Sequence, residues 1–578
     1  MATPVPTPTA GAPTPGRGAL PRTRRPQRDW TPWFVGALTA VVLLLFLVYP
    51  IFTTLASSFV PQGQAIALQN LSLVNFERFF TSPLYQRAFV NSLVVSLSTT
   101  AIATLLALPA AYAMARVQIP ARNFLMSLSV IPLIAPPFIG AYSWVILLGR
   151  RGIVTHYLDQ WFGLSIPSVF GPFGIILALS LSYFPFVFLI VQGALAAADP
   201  YIEESANIMG ASRWRILRTI TFPLVIPSIA SGALIVFIRS LGNVGVPAVL
   251  GGDYYVLPTL ILFQVEGFFN LNGAAAIAMV NVLLVMLFLL VIRRFQGKKR
   301  YVTLTGTTRG ARRSRRPLDV ALGSAYVWGL MFLALLPQIL VVFSSFAERW
   351  AGTLLPTQYG LANYRLILGN VLQPIVNSVT LAGVATALAL AFGLITAYVS
   401  LRKRFAGRWI IDLTVMLPFV LPGIVTGVAY LTTFNTGPLA MTGTAAILVF
   451  AYFVRRLAYA FRSISAAIGQ VDTALEDAST ICGASWGRTI RKVTVPLIAP
   501  GILAGGILVF STLIGELSVT IMLFSGAWKT VSIAIFEYLT SYRTAPAAAM
   551  GTIVIVITLT LVFTASRLLR RGMADLFR

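Results

Sequence analysis

The feature that most restricts how this chain can fold is a succession of apolar runs, each close to twenty residues, recurring from Trp33 almost to the C-terminus. A helix needs roughly 20 apolar residues to cross the hydrocarbon core of a bilayer. Inside that core a backbone has to satisfy its own N–H and C=O groups, so a spanning segment is a helix or part of a closed barrel. Barrel strands show as short alternating segments, and none is evident here. Only 10% of the 578 residues are charged and 57% are hydrophobic, against about 25% charged in a soluble domain. The predicted fold class is therefore an all-α polytopic membrane protein. Six spans are expected near 33–55, 88–114, 124–148, 172–195, 224–242 and 273–292. Six more are expected near 322–345, 377–400, 409–432, 444–461, 497–523 and 547–566.

The net charge of +26 could point to nucleic acid, but in a membrane protein Lys and Arg gather in cytoplasmic loops. With the N-terminus inside, the basic stretches Arg17–Arg28, Arg116–Arg122, Arg213–Arg218, Arg293–Arg316, Arg402–Arg408, Arg455–Lys492 and Arg567–Arg578 all fall inside, and they hold most of the 43 Lys and Arg. This predicts a multi-pass protein of the bacterial inner membrane with both termini cytoplasmic, embedded in lipid and binding no nucleic acid. Residues 1–30, rich in Pro, Thr and Arg, read as a disordered tail. The run after them is long for a signal-peptide core and lacks a small-residue cleavage site. The single Cys482 and single His156 leave no disulfide framework and no Cys/His metal cluster.

The chain is internally duplicated. The segment from Asn91, NSLVVSLSTTAIATLLALPAAYAMARV, aligns with NSVTLAGVATALALAFGLITAYVSLRK from Asn377, and the same offset carries Pro132 and Pro136 onto Pro418 and Pro422. At a slightly shorter offset Gly210, Pro223, Pro227 and Gly242 fall on Gly483, Pro496, Pro500 and Gly515. Six spans per repeat give both repeats the same orientation, the arrangement of parallel repeats about an axis along the membrane normal. The expected units are a first half at 31–295, a basic linker at 296–318, a second half at 319–570 and a short tail at 571–578.

Each half spends a charged, glycine-broken segment between its fourth and fifth spans: EESANIMGASRWRILRTITFPLVIPSI from Glu203 and EDASTICGASWGRTIRKVTVPLIAPGI from Glu476. Each reads as two short helices. Glu203, Glu204, Glu476 and Asp477 suit the positive end of the first. Gly210 and Gly483 permit a turn, Ser212 and Ser485 can cap the second helix, and Pro223 and Pro496 mark where it gives way to the next span. A single copy could be an amphipathic helix resting on lipid. Two copies at equivalent places argue for a shared task.

The pattern resembles the EAA loop of ABC importer permeases, in which EAA is followed after three residues by G. Here it stands as Glu204-Ser205-Ala206 with Gly210 and as Asp477-Ala478-Ser479 with Gly483, and Ala211 and Ala484 complete the Gly-Ala-Ser that follows. The resemblance implies a type I importer permease, not itself an enzyme, whose two loops dock on two ATPase subunits. It also implies an extracytoplasmic solute-binding protein that delivers cargo. No G-x-x-x-x-G-K-[ST] phosphate loop occurs, so ATP and Mg are expected on the partner subunits, with no cofactor bound directly.

Polar groups inside spans are costly and often functional. Asn243 and Glu516, each just after an aligned glycine, are expected either to line or gate the outer pathway or to cap the end of the fifth span. Arg239 is expected to pair with Glu516 or to snorkel outward, and Asn281 to bond between helices. The fused layout, with LGNVGVPAVLGG at Leu241–Gly252 and the basic linker, resembles ferric-iron permeases. Thiamine, 2-aminoethylphosphonate or another small solute is the alternative cargo. Tyr254 and Tyr255 beside Asp253, and Tyr538 and Tyr542 beside Glu537, read as interfacial aromatics and not as metal ligands. An ion-driven secondary transporter is the rival of another class, and it requires acidic groups inside spans.

Overall fold

The computed structural model describes residues 31–150, 152–296, 313–350, 355–403 and 408–569. The tail 1–30, residues 297–312 of the linker and the tail 571–578 lie outside them.

Among the described residues nine unbroken helices are long and apolar enough to cross a membrane. Trp33–Ser58, Pro83–Arg116, Pro172–Ala197, Arg213–Leu241 and Leu271–Arg294 belong to the first half, and Pro317–Ser345, Gln373–Arg402, Trp486–Ile514 and Thr544–Arg567 to the second. The third span of each half, expected as one helix, is broken instead. Arg122–Ile134 meets Pro137–Phe162 at 97°, and Arg408–Phe419 meets Gly423–Phe434 at 103°. The second proline of each aligned pair makes the break: Pro136 (ψ 123°) and Pro422 (ψ 145°) are both extended. Proline has no N–H to give the helix ladder, and it drives the residue before it out of helical space; Ala135 is extended accordingly. The remaining segment, Ala445–Gly469, is one helix that carries Arg455, Arg456 and Arg462. The described residues thus hold nine such helices, or eleven with each bent pair counted as one span, against the twelve expected, because Ala445–Gly469 is too charged to count by length and apolarity.

The halves are not side-by-side bundles, because each first span crosses to the other half. Tyr430 Oη of the second half donates to the Phe46 carbonyl at 2.6 Å, and the rings of Phe46 and Phe450 stack 4.2 Å apart. In return, the carbonyl of Pro337 accepts from Ser143 Oγ at 2.8 Å and that of Leu106 from Tyr326 Oη at 3.0 Å. In lipid no hydrophobic drive separates one apolar helix face from another, so helices associate by close packing of small residues and by interhelical hydrogen bonds. The second span of each half fits that rule. Pro83–Arg116 buries Ala103, Ala107, Ala110 and Ala111 in the packing with Pro172–Ala197, and Gln373–Arg402 buries Ala382, Ala385, Ala389 and Ala397 in the packing with Ala445–Gly469.

The aligned Asn-Ser pairs have a shared task. Asn91 donates to the Tyr255 carbonyl, and Ser92 accepts from Leu257 N. Asn377 donates to the carbonyls of Ala527 and Lys529, and Ser378 accepts from Val531 N. Each pair fastens the start of a second span to the short helix that precedes the sixth, Leu257–Glu266 or Val531–Thr540.

Candidate functional site

Two sets of residues stand apart from simple packing: the repeated charged segments at one face, and a polar cavity between the halves.

Each charged segment is a helical hairpin. Pro200–Ile208 and Thr473–Ile481 are its first helices, and the N-caps are Asp199 and Asp472, whose carboxylates accept from Tyr201 N (2.9 Å) and Ala474 N (3.0 Å). These caps escaped the sequence reading, which began the helices at the glutamates. An aspartate directly before the helix, four residues ahead of Glu203 or Glu476, was the available signal. Gly210 (φ +84°) and Gly483 (φ +82°) make the turns in the left-handed region, where a Cβ is disfavoured. Ser212 accepts from Arg215 N at 3.3 Å as a cap, but Ser485 makes no such bond although it holds the same position. Nor do Pro223 and Pro496 end their helices. A π-turn (Leu217–Thr221, Ile490–Thr494) comes just before each, and Arg213–Leu241 and Trp486–Ile514 run on as continuous helices. Each proline then stands in the first turn after the irregularity, where its missing N–H is tolerated.

The glutamates turn inward. Glu203 Oε1 accepts from Arg116 Nη2 at 3.0 Å and from Thr221 Oγ1 at 2.9 Å. At the equivalent place buried Glu476 takes Tyr398 Oη (3.0 Å) and Thr494 Oγ1 (3.1 Å) and pairs with Arg402 (3.4 Å). Each glutamate thus ties its hairpin to the end of the second span and to the π-turn beneath. Ala206, Ala211 and Ala484 are half-buried, while Glu204, Ser212, Asp477, Ala478 and Ser485 face outward. At the hairpin tips Ile208, Met209 and Ile481 are 85%, 86% and 86% exposed, an unusual state for large apolar side chains in a region rich in charge.

The cavity, of about 150 Å³, lies where the two broken third spans meet the ends of the two fifth spans. The broken spans contact the opposite half at close range. Pro422 lies so near Gly242 that a Cβ there would stand 3.0 Å away, and Pro136 presses still closer on Gly515. Asn243 and Glu516 both line the cavity, with Arg239, Arg455, Arg456, Tyr183 and Tyr459.

Several expectations change here. Arg455 and Arg456, counted above with a cytoplasmic loop, lie inside the bundle and hold Glu516 between them at 2.9 Å and 2.5 Å. Glu516 therefore does not pair with Arg239. Arg239 instead donates to Tyr459 Oη at 2.5 Å and lies over the ring of Phe186 at 5.6 Å. It neither snorkels nor, among the described residues, forms an ion pair. Phe186 and Tyr459 are equivalent positions of the repeat, so Arg239 sits close to the pseudo-twofold axis. Asn243 donates to Tyr183 Oη at 2.8 Å and accepts from Val246 N at 2.9 Å. Buried Asn281 has no hydrogen-bond partner among the described residues, against the interhelical bond expected of it. On the tyrosine-rich loops, Glu537 pairs with Lys529 at 2.8 Å and Tyr538 stacks under Arg543. The described residues contain no cluster of His, Cys, Asp or Glu able to hold a metal.

Residues 103–300 and 389–574 each match the family described as binding-protein-dependent transport system inner membrane component. Among curated proteins, the chain is 30% identical to the ferric transport system permease protein FbpB of Actinobacillus pleuropneumoniae over 92% of this chain and 77% of that protein. It is 32% identical to a putative ferric transport system permease protein, FbpB 1, of Haemophilus influenzae over 82% and 75%. Among solved structures it matches a bacterial ABC transporter involved in the import of the acidic polysaccharide alginate, with TM-score 0.39 and 20% identity over 47% of this chain and 97% of that one.

Proposed function

The chain belongs to the family of binding-protein-dependent transport system inner membrane components, and from that premise we propose that it imports ferric iron through the space between its halves. The observation that carries the cargo is that the ferric permease relatives align across both halves and not with one alone. An extracytoplasmic binding protein hands over the iron, and two ATPase subunits, which hold ATP and Mg, supply the energy. Each ATPase subunit receives one hairpin. The exposed Ile208 and Met209 at one tip and Ile481 at the other provide the apolar anchor that a docking groove needs. The glutamate ties make each hairpin rigid enough to pass motion to the second and fifth spans. An even number of spans between them puts the hairpins, the linker and both termini on one face, and the Lys and Arg gathered there make it the cytoplasmic one.

A gradient-driven carrier needs acidic groups free to load a proton or sodium. Glu516, locked between two guanidiniums, does not meet that need. A second cargo, 2-aminoethylphosphonate, is favoured by one observation: a putative 2-aminoethylphosphonate transport permease of Salmonella typhi is 30% identical over 41% of this chain. Uptake of labelled ferric iron is the test, in cells lacking the gene and in the same cells with the intact gene restored. Restoration of iron uptake alone supports the proposal. Iron uptake indifferent to the gene, with 2-aminoethylphosphonate uptake dependent on it, overturns the cargo in favour of the phosphonate.

A further inference from the structure

The cavity carries more positive than negative charge. Its charged lining is Arg239, Arg455, Arg456 and Glu516. The one carboxylate is fully engaged, with Oε1 on Arg455 and Val519 N and Oε2 on Arg456. The Asn243 carbonyl is used by Val246 N. The donors are not used up in the same way. Tyr183 and Tyr459 accept at their oxygens, from Asn243 and Arg239, and among the described residues neither hydroxyl gives its own hydrogen away. Arg239 has a cavity-facing guanidinium with no carboxylate partner among them. A site with spare donors and surplus positive charge is complementary to an oxyanion, since a guanidinium matches carboxylate, phosphate or phosphonate oxygens in a forked pair. The same site repels a bare trivalent cation. Room is not limiting: one water needs about 10–15 Å³ on this measure, and the cavity measures about 150 Å³.

We infer that this cavity is an oxyanion site centred on Arg239, Tyr183 and Tyr459. Resting on the iron reading above, ferric iron then crosses as a complex whose exposed ligands are anionic oxygens, not as the bare ion. Hard oxygen ligands are the ones ferric iron prefers, so cargo and cavity meet through the ligand and not through the metal. Arg239 is the recognising group because its position near the pseudo-twofold axis places it on the shared path of both halves.

The test has two arms, both on the full chain in lipid nanodiscs or, for transport, with its ATPase subunits and its binding protein in proteoliposomes. In the first, thermal unfolding is followed with inorganic phosphate, 2-aminoethylphosphonate or citrate against chloride at equal ionic strength. The oxyanions should raise the transition of the intact chain most, raise that of Arg239→Lys less, since a lysine keeps the charge but not the fork, and leave Arg239→Gln unmoved. In the second, uptake of doubly labelled ferric phosphate is counted for iron and for phosphorus. Both labels should enter with the intact chain, and Arg239→Gln should lower iron entry at least tenfold while the ATPase subunits remain attached. If Arg239→Gln leaves iron entry unchanged or raises it, or if no oxyanion shifts unfolding, the anion site is overturned and the iron reading survives. If oxyanions shift unfolding of the intact chain but not of Arg239→Gln, while iron never enters, the site stands and the iron reading falls. Should Arg239→Gln fail to fold, the first arm is decided by Arg239→Lys: a smaller oxyanion shift than that of the intact chain supports the site, and an equal shift overturns it.

Discussion

The two halves place a polar pair at the same point of the cavity wall, and the pairs differ in charge. In the first half Tyr183 meets Asn243 at 2.8 Å; in the second, at equivalent positions, Arg456 meets Glu516 at 2.5 Å. Next to Tyr183 stands Ser182, and next to Arg456 stands Arg455, which also grips Glu516. Duplication thus kept the geometry and diverged in electrostatics. A pair of separate identical subunits would line their path with two copies of the same chemistry. A fused chain is free to make one wall neutral and the other ionic. The hairpins show the opposite outcome: Glu203 and Glu476, Thr221 and Thr494, and Arg116 and Arg402 repeat almost bond for bond. The hairpins, the proposed docking surfaces, remain alike, and the cavity walls differ.

The ionic wall should be the more fragile. Glu516→Gln leaves two guanidiniums uncompensated inside the bundle, and removing one member of a buried ion pair costs about 3–5 kcal/mol. Asn243→Ala loses a neutral bond and should cost about 0.5–1.5 kcal/mol. Equal losses on thermal unfolding in nanodiscs would erase the distinction. A sharper version copies the first wall onto the second. Arg455→Ser, Arg456→Tyr and Glu516→Asn together remove the whole ionic set, which is far milder than breaking it, so the triple variant should unfold close to the intact chain while Glu516→Gln does not.

Smaller effects are expected where the halves agree. Glu476, bonded to Tyr398, Arg402 and Thr494, should lose about 1.5–3 kcal/mol on conversion to Gln, in the range of hydrogen bonds to charged groups. Glu203→Gln should lose less, since Glu203 has fewer partners and is 19% exposed. Gly515→Ala drives a Cβ onto Pro136 and should cost about 1–3 kcal/mol by overpacking, more than Gly242→Ala, where Pro422 lies farther off. The smallest contrast is at the caps: Ser212→Ala should cost about 1 kcal/mol, and Ser485→Ala almost nothing, because it has no cap bond to lose.

Much of this was legible in the sequence for a physical reason. Polar segments stand out in an apolar chain, so the hairpins, their glycine turns and the doubling of the architecture were all visible. The crossed first spans were not, because a helix face that meets lipid and one that meets protein are equally apolar. Arg455 and Arg456 were misplaced because two adjacent arginines near the end of an apolar run look like a loop, and their partner Glu516 is distant in sequence. The breaks at Pro136 and Pro422 were hidden among prolines that helices tolerate, such as Pro132 and Pro418, which lie inside the helices Ile131–Ile134 and Arg408–Val420.

The central claim is that two matching hairpins each seat an ATPase subunit beneath two unlike walls. The direct measurement is native mass spectrometry of the chain purified with its candidate ATPase, beside a variant with Gly210→Val and Gly483→Val. No atom lies within 4 Å of a Cβ at either glycine, so these changes act on the turn alone, through its positive φ. The account predicts two ATPase subunits on the intact chain and none on the variant, with the variant still folded. An intact chain that holds no ATPase, or a variant that retains both subunits, would contradict it.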